Sequence, residues 1–138
     1  MKSVSHILKS KADQSLYSIA PTASVLDAVK LMAERNIGAL VVLEGEKIVG
    51  IITERDYARK IVLMERSSYN TLVSDIMSSP VISVPPHESN EHCMQLMTEK
   101  RLRHLPVLDG TKLIGMISIG DLVKDIISDQ QSMIRQLE

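Results

Sequence analysis

The sequence predicts an α+β fold built from two β-α-β-β-α repeats. Three observations carry this expectation. Residues 16–63 align with residues 81–128 without a gap, at a spacing of 65 residues. In each copy a helical apolar pattern gives way to two β-branched runs around a Gly-bearing turn. Each copy then ends on a strand followed by a hydroxyl residue and, three positions on, an aspartate. These stretches read "GIITERDYARK" (Gly50 to Lys60) and "GMISIGDLVKD" (Gly115 to Asp125).

The alignment sets Ser18 on Ser83, Pro21 on Pro86, Ser24 on Ser89, Gly45 on Gly110, Gly50 on Gly115 and Asp56 on Asp121. "LYSIA" (Leu16–Ala20) and "VISV" (Val81–Val84) read as short strands ended by proline. Ser24 is an N-cap signal for a helix whose Leu26, Val29, Leu31 and Met32 follow helical spacing, with Asp27 placed as a capping-box acid. Its counterpart starts near Ser89 and carries Met94, Leu96 and Met97. The strand pairs are "ALVVL" with "KIVGII" and "LPVL" with "KLIGMI". A last helix is expected over Glu54–Met64 in the first copy, and over Ile119–Ile127 or beyond in the second.

A unit of about 50 residues buries too small a fraction of its surface to be comfortably stable alone. The two copies are therefore expected to pack through their sheets with pseudo-twofold symmetry. The expected division is residues 1–66 for the first repeat with its lead-in, 67–72 for a linker, and 73–138 for the second repeat with its C-terminal helix. "LVSDIM" (Leu72–Met77) echoes "SVSHIL" (Ser3–Leu8), the lead-in to the first copy.

Composition narrows the function classes. Among 138 residues, 44% are hydrophobic and 24% charged, which is globular rather than disordered. The formal net charge of −1 and the absence of Trp and Phe argue against a nucleic-acid surface. A bound anion must be held by a local cluster of donors. The single cysteine, Cys93, forms no intrachain disulfide and fits a reducing compartment. The opening "MKSVSHILKSK" lacks the apolar core of a secretory signal, and runs such as "ALVVL" are too short to cross a bilayer. A cytoplasmic protein without membrane contact is expected.

The element order, "TERD" and "SIGD" after strands ending Gly-x-Ile/Met-Ile, "VSDIMSSPVISVPP" (Val73–Pro86) and "RHLPVLD" (Arg103–Asp109) together resemble a tandem pair of cystathionine-β-synthase (CBS) domains. The resemblance spans nearly the whole chain. It implies a regulatory module rather than an enzyme, binding adenine nucleotides in clefts between the two repeats and dimerising into a disc.

The residues themselves suit that chemistry. Asp56 and Asp121, at strand-to-helix junctions, can each accept hydrogen bonds from a ribose diol. The hydroxyls of Thr53 and Ser118, with first-turn amides, can face a phosphate. Adenine would lie among aliphatic side chains and be read by main-chain groups near Ser18, Pro21, Ala39, Ser83 and Pro86. Arg55 lies inside the Thr-x-x-Asp span and is favoured over Arg59 and Lys60 as a phosphate ligand. Arg103 and His104 resemble the basic pair that some family members use for phosphate, in reversed order. AMP, ADP, ATP or NAD each fit as a regulatory ligand, with no required cofactor; S-adenosylmethionine fits less well, because its sulfonium gains nothing from Arg55 or Arg103.

Blander readings stand beside these. Thr53 and Ser118 can be N-caps with Asp56 and Asp121 as their capping-box acids, a role that ribose could displace. A zinc set of His87, His92, Cys93 and His104 is disfavoured, since His92 and Cys93 diverge by about 100° on a helix. Cys93 aligns with Ala28 and reads as a buried inert thiol. A nucleotide-directed enzyme lacks a phosphate loop or a catalytic set. Apolar residues in excess of one sheet contact, Tyr57, Ile61 and Met64 in one stripe and Leu122, Val123, Ile126 and Ile127 in another helix, predict a homodimer through helices. An unidentified target protein completes the expected partners. The alternative function is a structural dimerisation module that uses no nucleotide.

Overall fold

The computed structural model describes residues 2–11 and 16–137. Helix α1 (Val4–Ser10) leads into the first repeat, where β1 (Ser18–Ile19) precedes α2 (Val25–Arg35), β2 (Ala39–Glu44) and β3 (Lys47–Thr53). Helix α3 (Glu54–Tyr57) runs into a π-helical turn over Ala58–Val62, and α4 (Val73–Ile76) leads out. The second repeat comprises α5 (Asn90–Lys100), β4 (His104–Asp109), β5 (Lys112–Ser118) and α6 (Ile119–Leu137).

Both copies fold to one pattern. β2 lies between β1, which it pairs in parallel, and β3, which it pairs antiparallel. β4 and β5 repeat the antiparallel pair, with the same register shift at Val107/Leu108 as at Val42/Leu43. Gly45 and Gly110 both take φ of 64° in the tight turns, a geometry that only glycine adopts at no steric cost. Ser24 and Ser89 cap α2 and α5 by accepting from the amides of Asp27 and His92. Each helix turns its small and apolar face to its sheet. Val25, Ala28 and Met32 pack with Leu40, Val42 and Ile52; Cys93 and Met97 pack with Leu105, Val107 and Ile117.

The expected strand "VISV" is reduced to one residue. Val84 makes a parallel bridge to Val107, its amide donating to Pro106 O at 3.1 Å and its carbonyl accepting from Leu108 N at 3.0 Å. Pro85 and Pro86 follow and have no N–H with which to extend the ladder. β1 is likewise two residues rather than the five of "LYSIA". The helix expected over Glu54–Met64 is also interrupted. Leu63 N bonds Ala58 O and Arg66 N bonds Ile61 O, five residues back. The wider turn rotates Met64 off the Tyr57–Ile61 stripe, leaving Ile61 buried and Met64 67% exposed.

Packing divides the chain differently from the expected boundaries at 66 and 73. One compact unit is Tyr17–Val81; the other joins the N-terminal segment to residues from Ile82 onward. The outer limits of the expected division, residues 1 and 138, lie outside the described residues. Each repeat is completed by the lead-in that belongs, in sequence order, to the other. In the first unit Val73 N donates to Ala23 O and Ser74 N to Pro21 O. In the second, Val4 N donates to Glu88 O and Ser5 N to Pro86 O, at aligned positions. Val73 and Ile76 bury in the first core, Val4 and Ile7 in the second. The expected linker also belongs to the first unit, because Ser68 O and Thr71 O accept from the otherwise unpaired amides of Leu26 and Val25.

Gly50 and Gly115 make room for this docking. A Cβ on Gly115 would stand 2.7 Å from the Leu8 side chain, and one on Gly50 would stand 2.5 Å from the Met77 sulfur. The exchange predicts that Ile7→Ala destabilises the second repeat by about 2–5 kcal/mol. Amide exchange should accelerate in β4 and β5 while β2 and β3 keep their protection; the reverse pattern would contradict the docking.

Candidate functional site

The two strand-to-helix junctions are reciprocal caps. At the first, Thr53 Oγ1 accepts from Asp56 N at 3.1 Å, and Asp56 Oδ2 accepts from Thr53 N at 3.0 Å. At the second, Ser118 Oγ accepts from Asp121 N at 3.2 Å, and Asp121 Oδ2 accepts from Ser118 N at 2.8 Å. A neighbouring carbonyl closes each turn: Gly38 O accepts from Glu54 N, and Arg103 O accepts from Ile119 N. These groups satisfy helix-start amides that would otherwise be unpaired, and a cap of this kind contributes about 1 kcal/mol. The two hydroxyls and those amides are thereby engaged with the cap instead of standing open to a phosphate.

Each carboxylate also holds a lysine. Lys60 Nζ lies 3.1 Å from Asp56 Oδ1 and donates to Ile76 O at 2.8 Å. Lys11 Nζ lies 3.1 Å from Asp121 Oδ2 and donates to Met116 O at 2.9 Å. The two ammonium groups perform one task from positions that do not align. The position aligned with Lys60 is Asp125, which turns instead to Asn90 Nδ2 at 2.7 Å and Lys2 Nζ at 3.6 Å. Lys60, which the sequence favours less than Arg55, reaches Asp56, as its i,i+4 spacing permits. Arg55 is exposed on the first turn of α3. Lys11 and Ser78, whose hydroxyl donates to Asp56 Oδ1 at 3.2 Å, went unseen in the sequence. No short-range pattern joins either one to its partner.

The remaining candidates fall around these junctions. Ala39 is buried and pairs with Thr53; His104 pairs with Ser118. Ser18 is exposed on β1, and Ser83 is half-buried beside the Val84 bridge. The carbonyls of Pro21 and Pro86 accept lead-in amides, so each retains one lone pair for any further contact. Arg103 is exposed at the entrance to β4. Burial holds the His104 imidazole below its ordinary range, opposed by the charge of Asp121 and reinforced by Lys11 and Arg103. The second junction thus gathers Asp121, Lys11, Arg103 and His104.

Elsewhere Cys93 is buried, and burial pushes its thiol up to about 11, with Glu88 adding to the shift. His92 pairs with Glu88 at 2.8 Å. Among the described residues, no three His, Cys, Asp or Glu side chains converge as metal ligands, and no helix is long and apolar enough to cross a membrane.

The sequence matches the CBS domain family over residues 4–63 and 73–128. The chain belongs to the CBS-domain family, and its fold is the mixed α+β pattern of CBS pairs, present in two repeats. It is 43% identical over 142 residues to the mitochondrial CBS domain-containing protein CBSX3 of Arabidopsis thaliana, covering 97% of the chain and 69% of that relative. A solved CBS-domain protein from Burkholderia ambifaria is 58% identical with a TM-score of 0.90, covering 94% of this chain and 96% of that one. A CBS domain pair solved with 5′-methylthioadenosine and S-adenosyl-L-methionine shares the fold at 22% identity and a TM-score of 0.81, covering 94% and 98%.

Because its folded imidazole titrates below the ordinary value of 6.5, neutral His104 adds stability above that pH. This contribution is lost as pH falls through the folded value. The melting temperature should therefore drop between pH 7 and pH 5 more steeply in the wild type than in His104→Gln. Equal slopes would contradict the burial.

Proposed function

We propose that the protein is a regulatory module that senses an adenosine-containing ligand, with a junction carboxylate as the ribose acceptor. The observation that carries this reading is the ion-paired aspartate at the end of a strand, its cap built from Thr or Ser three residues earlier. Such a carboxylate can accept charge-assisted hydrogen bonds from a ribose diol. Lys11, Arg103 and His104 around Asp121 favour AMP, ADP, ATP or NAD over a sulfonium ligand. The adenosine compounds held by the solved CBS pair at 22% identity support the ligand class through the fold alone.

One observation favours the second reading, a structural module without nucleotide: both hydroxyl–aspartate pairs are fully formed caps as they stand. A thermal-shift screen separates the two. A ligand at a hundredfold excess over its Kd stabilises the native state by about 2.7 kcal/mol, a rise of several degrees. An adenine nucleotide should give that rise and a guanine nucleotide should not. No shift with any adenine nucleotide at millimolar concentration would favour the structural module.

Self-association through helices is part of the same proposal. Val123, Ile126 and Ile127 on α6 are exposed, and so are Val62, Leu63 and Met64. Sedimentation should show a dimer that Ile127→Glu weakens; a wild-type monomer would contradict it.

A further inference from the structure

The two carboxylates differ in how many of their acceptor positions are already filled. An ionised carboxylate offers about four lone-pair sites. At Asp56 four donors converge. Thr53 N and Thr53 Oγ1 reach Oδ2 at 3.0 and 3.1 Å, while Ser78 Oγ and Lys60 Nζ reach Oδ1 at 3.2 and 3.1 Å. At Asp121, among the described residues, Ser118 N and Lys11 Nζ approach, at 2.8 and 3.1 Å, and both address Oδ2. Among the described residues nothing donates to Asp121 Oδ1. The Ser118 hydroxyl accepts from Asp121 N and, unlike that of Thr53, does not donate to its own aspartate. The Asp121 side chain is also the more exposed, at 17% against 11%.

The asymmetry has a cause in the sequence. Lys60 stands one turn beyond Asp56 and folds back onto it. At the aligned position the second repeat has Asp125, drawn away by Asn90 and Lys2. Asp121 therefore takes its counter-ion from the lead-in, and Lys11 comes in from one side only. Ser78 reaches Asp56 because the first unit's lead-out pairs with β3 at Ile51, where Ser78 and Ile51 exchange both main-chain hydrogen bonds.

We infer that the two junctions are not equivalent: Asp121 is the ribose acceptor, and Asp56 is latched shut by Lys60 and Ser78. This rests on the adenosine-ligand reading above and makes it specific. A ribose 2′,3′-diol can donate to Asp121 Oδ1 without displacing any donor among the described residues. At Asp56 the same diol must first break the bond to Ser78 or the pair with Lys60. The ammonium of Lys11, with Arg103 and His104 nearby, selects a diol that carries a phosphate. The ligand class is thus a ribonucleoside phosphate, bound once per chain.

Calorimetric titration of the full chain with AMP and ATP tests this. The wild type should bind one equivalent, and 2′-deoxy-AMP should bind at least tenfold more weakly than AMP. Asp121→Asn, which keeps the size of the cap, should weaken binding at least tenfold. The double variant Lys60→Met/Ser78→Ala should bind two equivalents, and adding Asp56→Asn to it should restore one. Two equivalents in the wild type, undiminished affinity in Asp121→Asn, equal binding of 2′-deoxy-AMP, or a double variant that still binds one would each overturn the assignment while leaving the adenosine reading intact. A wild type that takes up neither nucleotide would overturn both.

Discussion

At both junctions a carboxylate reaches back to the amide of the last strand residue, and the local structure depends on that contact. It ends β3 and β5, starts α3 and α6, and sets the angle at which each helix returns over its sheet. Under the proposed function the same carboxylates are the acceptors for a sugar diol. In the proposed function capping and ribose binding share one group, and the outcome depends on how many other donors that group already holds. A cap is worth about 1 kcal/mol, small enough for a bound nucleotide to outweigh it.

The donors arrive through the exchange of lead-ins. α1 completes the second repeat and α4 the first, each laid against a glycine that leaves space for it. This docking carries Lys11 to Asp121 and Ser78 to Asp56. Fold and site are linked at this point, since the burial of Val4 and Ile7 is what holds Lys11 in place. The two repeats differ at Lys60 and Asp125, and the second takes its cation from the lead-in.

The repeat, the strand–turn–strand pairs and the capped helices were legible in the sequence because each is encoded within a few residues. Gly45, Gly110, Ser24 and Ser89 act as their types lead one to expect. The pairs Thr53–Asp56 and Ser118–Asp121 are likewise legible from spacing as caps. The exchange of lead-ins was not legible, because "LVSDIM" and "SVSHIL" are alike and their similarity does not say which sheet each covers. Lys11 and Ser78 went unseen for the same reason: each meets its aspartate from far along the chain. The π-helical turn after Tyr57 is not legible either, since apolar spacing alone cannot distinguish it from a continuous helix.

The most direct measurement of the central claim is an amide NMR titration with AMP that follows Thr53 N–H and Ser118 N–H. Each bonds its own junction carboxylate and reports a change there. Saturable movement of the Ser118 resonance, with Thr53 unmoved, is the expected result. Movement at Thr53 with Ser118 unmoved would contradict the account.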